Sequence, residues 1–146
     1  MKRNLLYLAG FIVVIISSCK KKNEPTRQDY LTTGKWKMVS LEYKVGTTGT
    51  WIDGYAAMQA CKKDDETAFR PDGVYLVTEG ATKCSPTDPS TVMSSTWSLS
   101  SDIKKIIFPA PLPEWVILKL DETELSYTYT MDIGPFVNYY RVIMQH

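Results

Sequence analysis

A chain of 146 residues has the length for one domain with a real core. With 17 Lys and Arg against 16 Asp and Glu, net charge +1, it holds no basic surplus for a nucleic-acid backbone, and none is expected as a partner. One histidine and no Cys-x-x-Cys pair argue against a metal centre, a redox pair or imidazole-based catalysis.

Lys2 and Arg3 begin the chain with positive charge, and Leu5 to Ile16 (LLYLAGFIVVII) is an uninterrupted uncharged run of the kind that forms the apolar part of an export signal. As a helix the run spans about 18 Å against a hydrocarbon core of about 30 Å, which is short for a transmembrane segment. It ends in Ile16, the small residues Ser17 and Ser18, and Cys19, a sequence that resembles a bacterial lipobox. The resemblance implies that residues 1–18 are a cleaved signal helix and that Cys19 is lipidated on its thiol and on its new amino group. Several acyl chains, at about 0.8 kcal/mol per buried methylene, then anchor the protein on a membrane. The expected place is the outer membrane, and the absence of a strong acidic tag after Cys19 leaves periplasmic and surface faces both open.

Residues 19–30 (CKKKNEPTRQDY) are polar but for one tyrosine and read as a flexible tether, with the domain following over 31–146. Lys20, Lys21 and Lys22 are either solvated or each worth about 1 kcal/mol on an anionic surface. Loss of the signal removes Lys2 and Arg3, so the mature balance is about minus one. With Cys19 lipidated, Cys61 and Cys84 are the remaining thiols, and an oxidising compartment favours a disulfide between them.

From Lys35 onward, short segments rich in Val, Ile, Thr and aromatics alternate with Gly, Pro, Asp and Ser. Lys35 to Val45 changes phase: Trp36 and Met38 share one parity, whereas Val39, Leu41, Tyr43 and Val45 share the other, so a bulge or sharp bend is expected near Met38 to Ser40. Tyr55 to Cys61 reads as one or two helical turns. Asp65 to Phe69 and Val74 to Thr78 flank Arg70-Pro71-Asp72-Gly73, a hairpin signal. Ser95 to Leu99 pairs with Ile103 to Phe108, and a stiff Pro109 to Glu114 loop follows. Trp115 to Leu120 turns through Asp121 to Glu124 into a clean period of two, with Leu125, Tyr127, Tyr129 and Met131 on the dry face. A hairpin at Ile133-Gly134-Pro135 leads into Phe136 to Gln145. These are eight strands, suited to an antiparallel up-and-down β-barrel.

Gly34-Lys35-Trp36 resembles the G-x-W start of the lipocalin first strand. Together with the lipobox, Cys61 before Lys63-Asp64-Asp65, Phe69 with Asp72-Gly73-Val74-Tyr75, Cys84, and Ser95-Thr96-Trp97-Ser98-Leu99, it resembles the lipocalin-like domain lipoproteins of Gram-negative bacteria. That resemblance covers roughly residues 31–144 and implies an eight-stranded lipocalin-like barrel whose ligands are largely unassigned. A second lipocalin motif has no clear counterpart, and Arg141 corresponds only loosely to the arginine that packs over the first-strand tryptophan, here Trp36.

Barrels of eight strands either enclose a small ligand or fill with side chains. Trp36, Trp97, Trp115, Tyr127, Tyr129, Met131 and Tyr140 are the candidate ligand-binding residues, since aromatic and Met side chains make adaptable apolar walls. Lys62 to Glu66 (KKDDE) with Asp72 gathers carboxylates, but lacks the alternating spacing of a calcium loop and reads as solvated charge. No catalytic residue, metal or cofactor is expected. Two functions follow: an anchored, non-catalytic module that binds or carries a small apolar ligand, or an accessory envelope lipoprotein with a filled barrel. The second would dock a protein partner through Trp51, Tyr55 and the loop Pro109 to Pro113.

Overall fold

The short helix α1 (Arg27–Thr32) starts at a reciprocal cap in which Thr26 Oγ1 accepts from the Asp29 backbone N–H at 3.2 Å and Asp29 Oδ2 accepts from that of Thr26 at 2.8 Å. The structure, a computed structural model, describes residues 24–146. The signal 1–18, the lipidation site Cys19 and Lys20 to Lys22 lie outside the described residues. Residues 27–30, assigned to the tether from sequence, are helical instead, because the cap and the burial of Leu31 tie this segment to the domain. Gly34 then takes φ +73°, a left-handed value open to glycine, and turns the chain into the sheet.

Ten strands follow: β1 (Trp36–Val45), β2 (Ile52–Asp53), β3 (Glu66–Phe69), β4 (Val74–Thr78), β5 (Thr91–Thr96), β6 (Ser98–Leu99), β7 (Lys105–Ile107), β8 (Trp115–Leu120), β9 (Glu124–Ile133) and β10 (Phe136–Gln145). A second short helix, α2 (Ala60–Lys63), precedes β3; of the helical turns expected over Tyr55 to Cys61, Ala60 and Cys61 alone are helical, and the helix runs on to Lys63. All pairings are antiparallel, in the order β5-β4-β3-β1-β10-β9-β8-β7-β6, with β2 added beside β1. The phase change in β1 is a register shift between Met38 and Ser40 that leaves Val39 unpaired, so Trp36, Met38, Leu41 and Tyr43 all face inward.

The expected closed cylinder of eight strands needs correction. The hydrogen-bonded order is open, with β5 at one end and β6 at the other, and the strands number ten. Residues 91–99 account for most of the difference. Their first part pairs with β4 and their last two residues with β7, and the change of partner comes just after Trp97, whose N–H still bonds Gly73 O at 2.8 Å in register with the β4–β5 ladder. The two end strands are thus consecutive in the chain. Ile52–Asp53 adds the remaining strand by pairing with Tyr43 and Glu42.

Alternation buries one face of each long strand. Leu31, Trp36, Phe69, Ile106, Leu125 and Val142 are almost fully buried, and at about 25 cal/mol per Å² their apolar area supplies the main drive to fold. Around Phe69 the rings of Tyr75, Trp97 and Trp115 meet at centroid distances of 5.2, 5.4 and 6.0 Å, the last two edge to face.

Candidate functional site

Inside the curved sheet lies a cavity of about 310 Å³. Period-two alternation in β9 brings Tyr127, Tyr129 and Met131 to its wall, and β8 contributes Trp115. The Trp115 and Tyr127 rings stack at 3.9 Å and 7°. Four of the seven candidate ligand residues therefore line one space. The other three do not. Trp36 lies at one end of the fold, donating from Nε1 to Leu31 O at 3.0 Å. Trp97 sits at the strand switch, its Nε1 donating to Arg70 O at 3.1 Å. Tyr140 stacks on Tyr129 at 4.6 Å and 6°, but faces a separate groove with Lys44, Trp51 and Tyr139.

Sequence reasoning missed most of the methionines. Met38, Met58, Met93, Met131 and Met144 all line the cavity, and they are every methionine in residues 24–146. The inward parity of Met38 and Met144, which pair across β1 and β10, was readable once the bulge is placed. Met58 comes from the turn before α2, and no local period marks it.

The cavity's polar groups are few. Burial holds the phenols of Tyr75 and Tyr127 far above their usual range, and pushes that of Tyr129 up to about 12, so all three are neutral hydroxyls at neutral pH. Lys62 and Asp65 stand on the wall beside Thr67. Burial raises the Asp65 carboxyl, the neighbouring Asp64 adds to this, and the Gly80 N–H and Lys62 oppose it.

Cys61 and Cys84 are joined in a disulfide, Cα to Cα 5.1 Å. Cys61 lies in α2 between Met58 and Lys62, so the bridge fastens this part of the wall to the β4–β5 connection. In the acidic stretch beside it, Asp64 Oδ2 accepts from the backbone and hydroxyl of Thr82, both at 2.8 Å, which lowers its carboxyl pKa. Among the described residues no three His, Cys, Asp or Glu side chains are grouped to hold a metal ion, and no helix is long and apolar enough to cross a membrane.

Arg141 does not cover Trp36. Bulge register places it on the outer face, 4.5 Å from the Trp51 ring and 3.2 Å from Glu42, while His146 takes the position over Trp36 at a ring separation of 3.8 Å. Of the other docking candidates, Tyr55 lies under Lys63 at 4.8 Å, and Leu112 and Pro113 belong to the cavity wall. Comparison with protein families, with curated proteins and with solved structures finds no match.

Proposed function

We propose that the protein is a membrane-anchored, lipocalin-like lipoprotein, non-catalytic, that binds or carries a small apolar ligand. The observation that carries this reading is the cavity of about 310 Å³, within the roughly 300 to 1,000 Å³ of small-molecule sites. Its wall of methionine and aromatic side chains with a few neutral hydroxyls suits an apolar guest held by few polar contacts. The joining of the two end strands through Trp97 supports a lipocalin-like cylinder interrupted at one seam. The open interior weighs against an accessory lipoprotein with a side-chain-filled core. The anchor rests on the lipobox resemblance at Cys19, and the outer membrane is its expected place.

Native mass spectrometry of protein purified from its own envelope tests both parts. A mass increment of diacylglycerol and acyl groups on Cys19 with residues 1–18 absent, and a retained small molecule lost on denaturation, are expected. An unmodified Cys19 overturns the anchor. A ligand-free protein that also binds no apolar probe overturns the carrier function.

A further inference from the structure

The groove shared by Lys44, Trp51 and Tyr139 measures about 330 Å³, and the pairing register explains how it is assembled. Tyr139 of β10 is opposite Lys44 of β1 on one side and Thr130 of β9 on the other. Trp51 comes opposite Lys44 one step beyond the Tyr43–Ile52 pair. Trp51, Lys44, Tyr139 and Thr130 therefore form one row across the outer face of the sheet. Glu42, Arg141 and Thr128 form the row beside it.

The charges of this surface do not cancel. Lys44 Nζ is 5.2 Å from the centre of the Trp51 ring and 5.3 Å from that of Tyr139, and the Arg141 guanidinium is 4.5 Å from Trp51. Arg141 is paired with Glu42 at 3.2 Å, and Glu114, which also lines the groove, with Lys105 at 2.6 Å. Lys44 meets no carboxylate among the described residues, and it donates to Thr47 O at 2.8 Å. An ammonium carries three donors, so Lys44 has capacity left for an anionic guest.

The uncharged side chains narrow the guest further. Trp51 and Tyr139 are half-buried and keep surface for contact, while Thr128 and Thr130 place hydroxyls in the same groove. A hydrocarbon tail laid here would strip water from these hydroxyls without replacing its hydrogen bonds. A bare inorganic anion would leave the rings unused. A pyranose ring suits both surfaces, since it turns C–H groups to an aromatic face and hydroxyls to its edge.

We propose that this groove is a second site, which binds a saccharide bearing carboxylate or sulfate groups, its rings against Trp51 and Tyr139 and its acid at Lys44. The site is separate from the internal cavity, and neither reading requires the other.

Isothermal titration of the purified protein at low salt tests it. The ligands are trigalacturonate, a sulfated galactose trisaccharide, the methyl ester of trigalacturonate, and tricarballylate, which has the carboxylates without the rings. One or both acidic saccharides are expected to bind, the tighter identifying the acid, with the ester and tricarballylate at least tenfold weaker. Lys44→Met should weaken the acidic saccharide about tenfold and leave the ester unchanged, whereas Lys119→Met, the same change outside the groove, should have no effect. Trp51→Leu should weaken acid and ester alike. The indole N–H resonance of Trp51 in the wild type reads the same contact without a substitution and should shift on titration. Equal binding of tricarballylate overturns the saccharide, and equal binding of the ester overturns the acid. Binding that ignores Lys44→Met and leaves the Trp51 resonance in place, or no binding of any ligand, overturns the site.

Discussion

The ring of His146 lies 3.8 Å from that of Trp36, and the Nδ1 of the same histidine is 3.0 Å from Lys35 O. The end of β10 thereby covers the start of β1, with Gly34 beneath it. A Cβ on Gly34 would come within 3.3 Å of His146 Nδ1, at a φ of +73°. Gly34→Ala should therefore cost about 1 to 2 kcal/mol, and His146→Ala about 1 kcal/mol through the lost ring contact. Urea denaturation checks both. Trp36→Ala, which empties a fully buried site, should cost about 3 to 5 kcal/mol.

Arg141→Ala should have a smaller effect, under about 1 kcal/mol, since its contact with Glu42 is half exposed. Its spectroscopic effect should appear at Trp51, over whose ring it lies, and not at Trp36. Tryptophan emission compared in Trp51→Phe and Trp36→Phe backgrounds distinguishes these sites.

Reduction of Cys61–Cys84, which closes a sequence separation of 23 residues, should lower stability by about 3 kcal/mol in the chain-entropy account. Denaturation with and without reductant measures this. Because the bridge holds Met58 and Lys62 at the cavity, reduction should also speed the release of an apolar probe, which stopped-flow fluorescence reads.

Asp121 secures the turn between β8 and β9. Its Oδ1 accepts from the N–H groups of Thr123 and Glu124, both at 2.9 Å, and Lys119 lies 3.1 Å from Oδ2. The Thr123 backbone foremost, then Lys119 and the Glu124 backbone, bring its pKa from 3.8 to about 2. A value lowered by folding stabilises fully above the unfolded value and is lost as pH falls between the two. The stability difference between the wild type and Asp121→Ala should thus be constant above pH 4 and shrink as pH falls towards 2.

The cavity phenols give the opposite limb. Burial raises Tyr129 from 10.0 to about 12, so the folded state keeps a proton that the unfolded chain releases first. Stability should be insensitive to this group below pH 10 and fall as pH rises towards 12, with Tyr75 and Tyr127 extending the decline further. Denaturation midpoints across this range, with Tyr129→Phe showing a shallower slope, check the assignment.

The strands were legible because their signals are local. Period two marks β9, Pro71 and Gly73 mark the β3–β4 turn, and the phase change in β1 located its bulge. Trp97 was not legible as the point where one strand becomes two, since its N–H still follows the β4–β5 register to Gly73 O and only the pairing of Ser98 and Leu99 with β7, set by distant residues, marks the change. The cavity was half legible for the same reason. Parity identified Tyr127, Tyr129 and Met131 as inward-facing, but whether an inward ring meets open space or another ring depends on partners elsewhere in the chain. Tyr140 meets Tyr129, and Met58 arrives from a turn with no period at all.

Val39 is the residue that β10 passes over without pairing, and its side chain is 40% exposed. Deleting it would bring Met38 and Ser40 into consecutive register with Met144 and Ile143, giving β1 plain alternation with Trp36, Met38, Leu41 and Tyr43 still on one face. Substitution and single-residue deletion at this position should therefore both be tolerated, so what Val39 contributes is the local bend and added twist of a bulge.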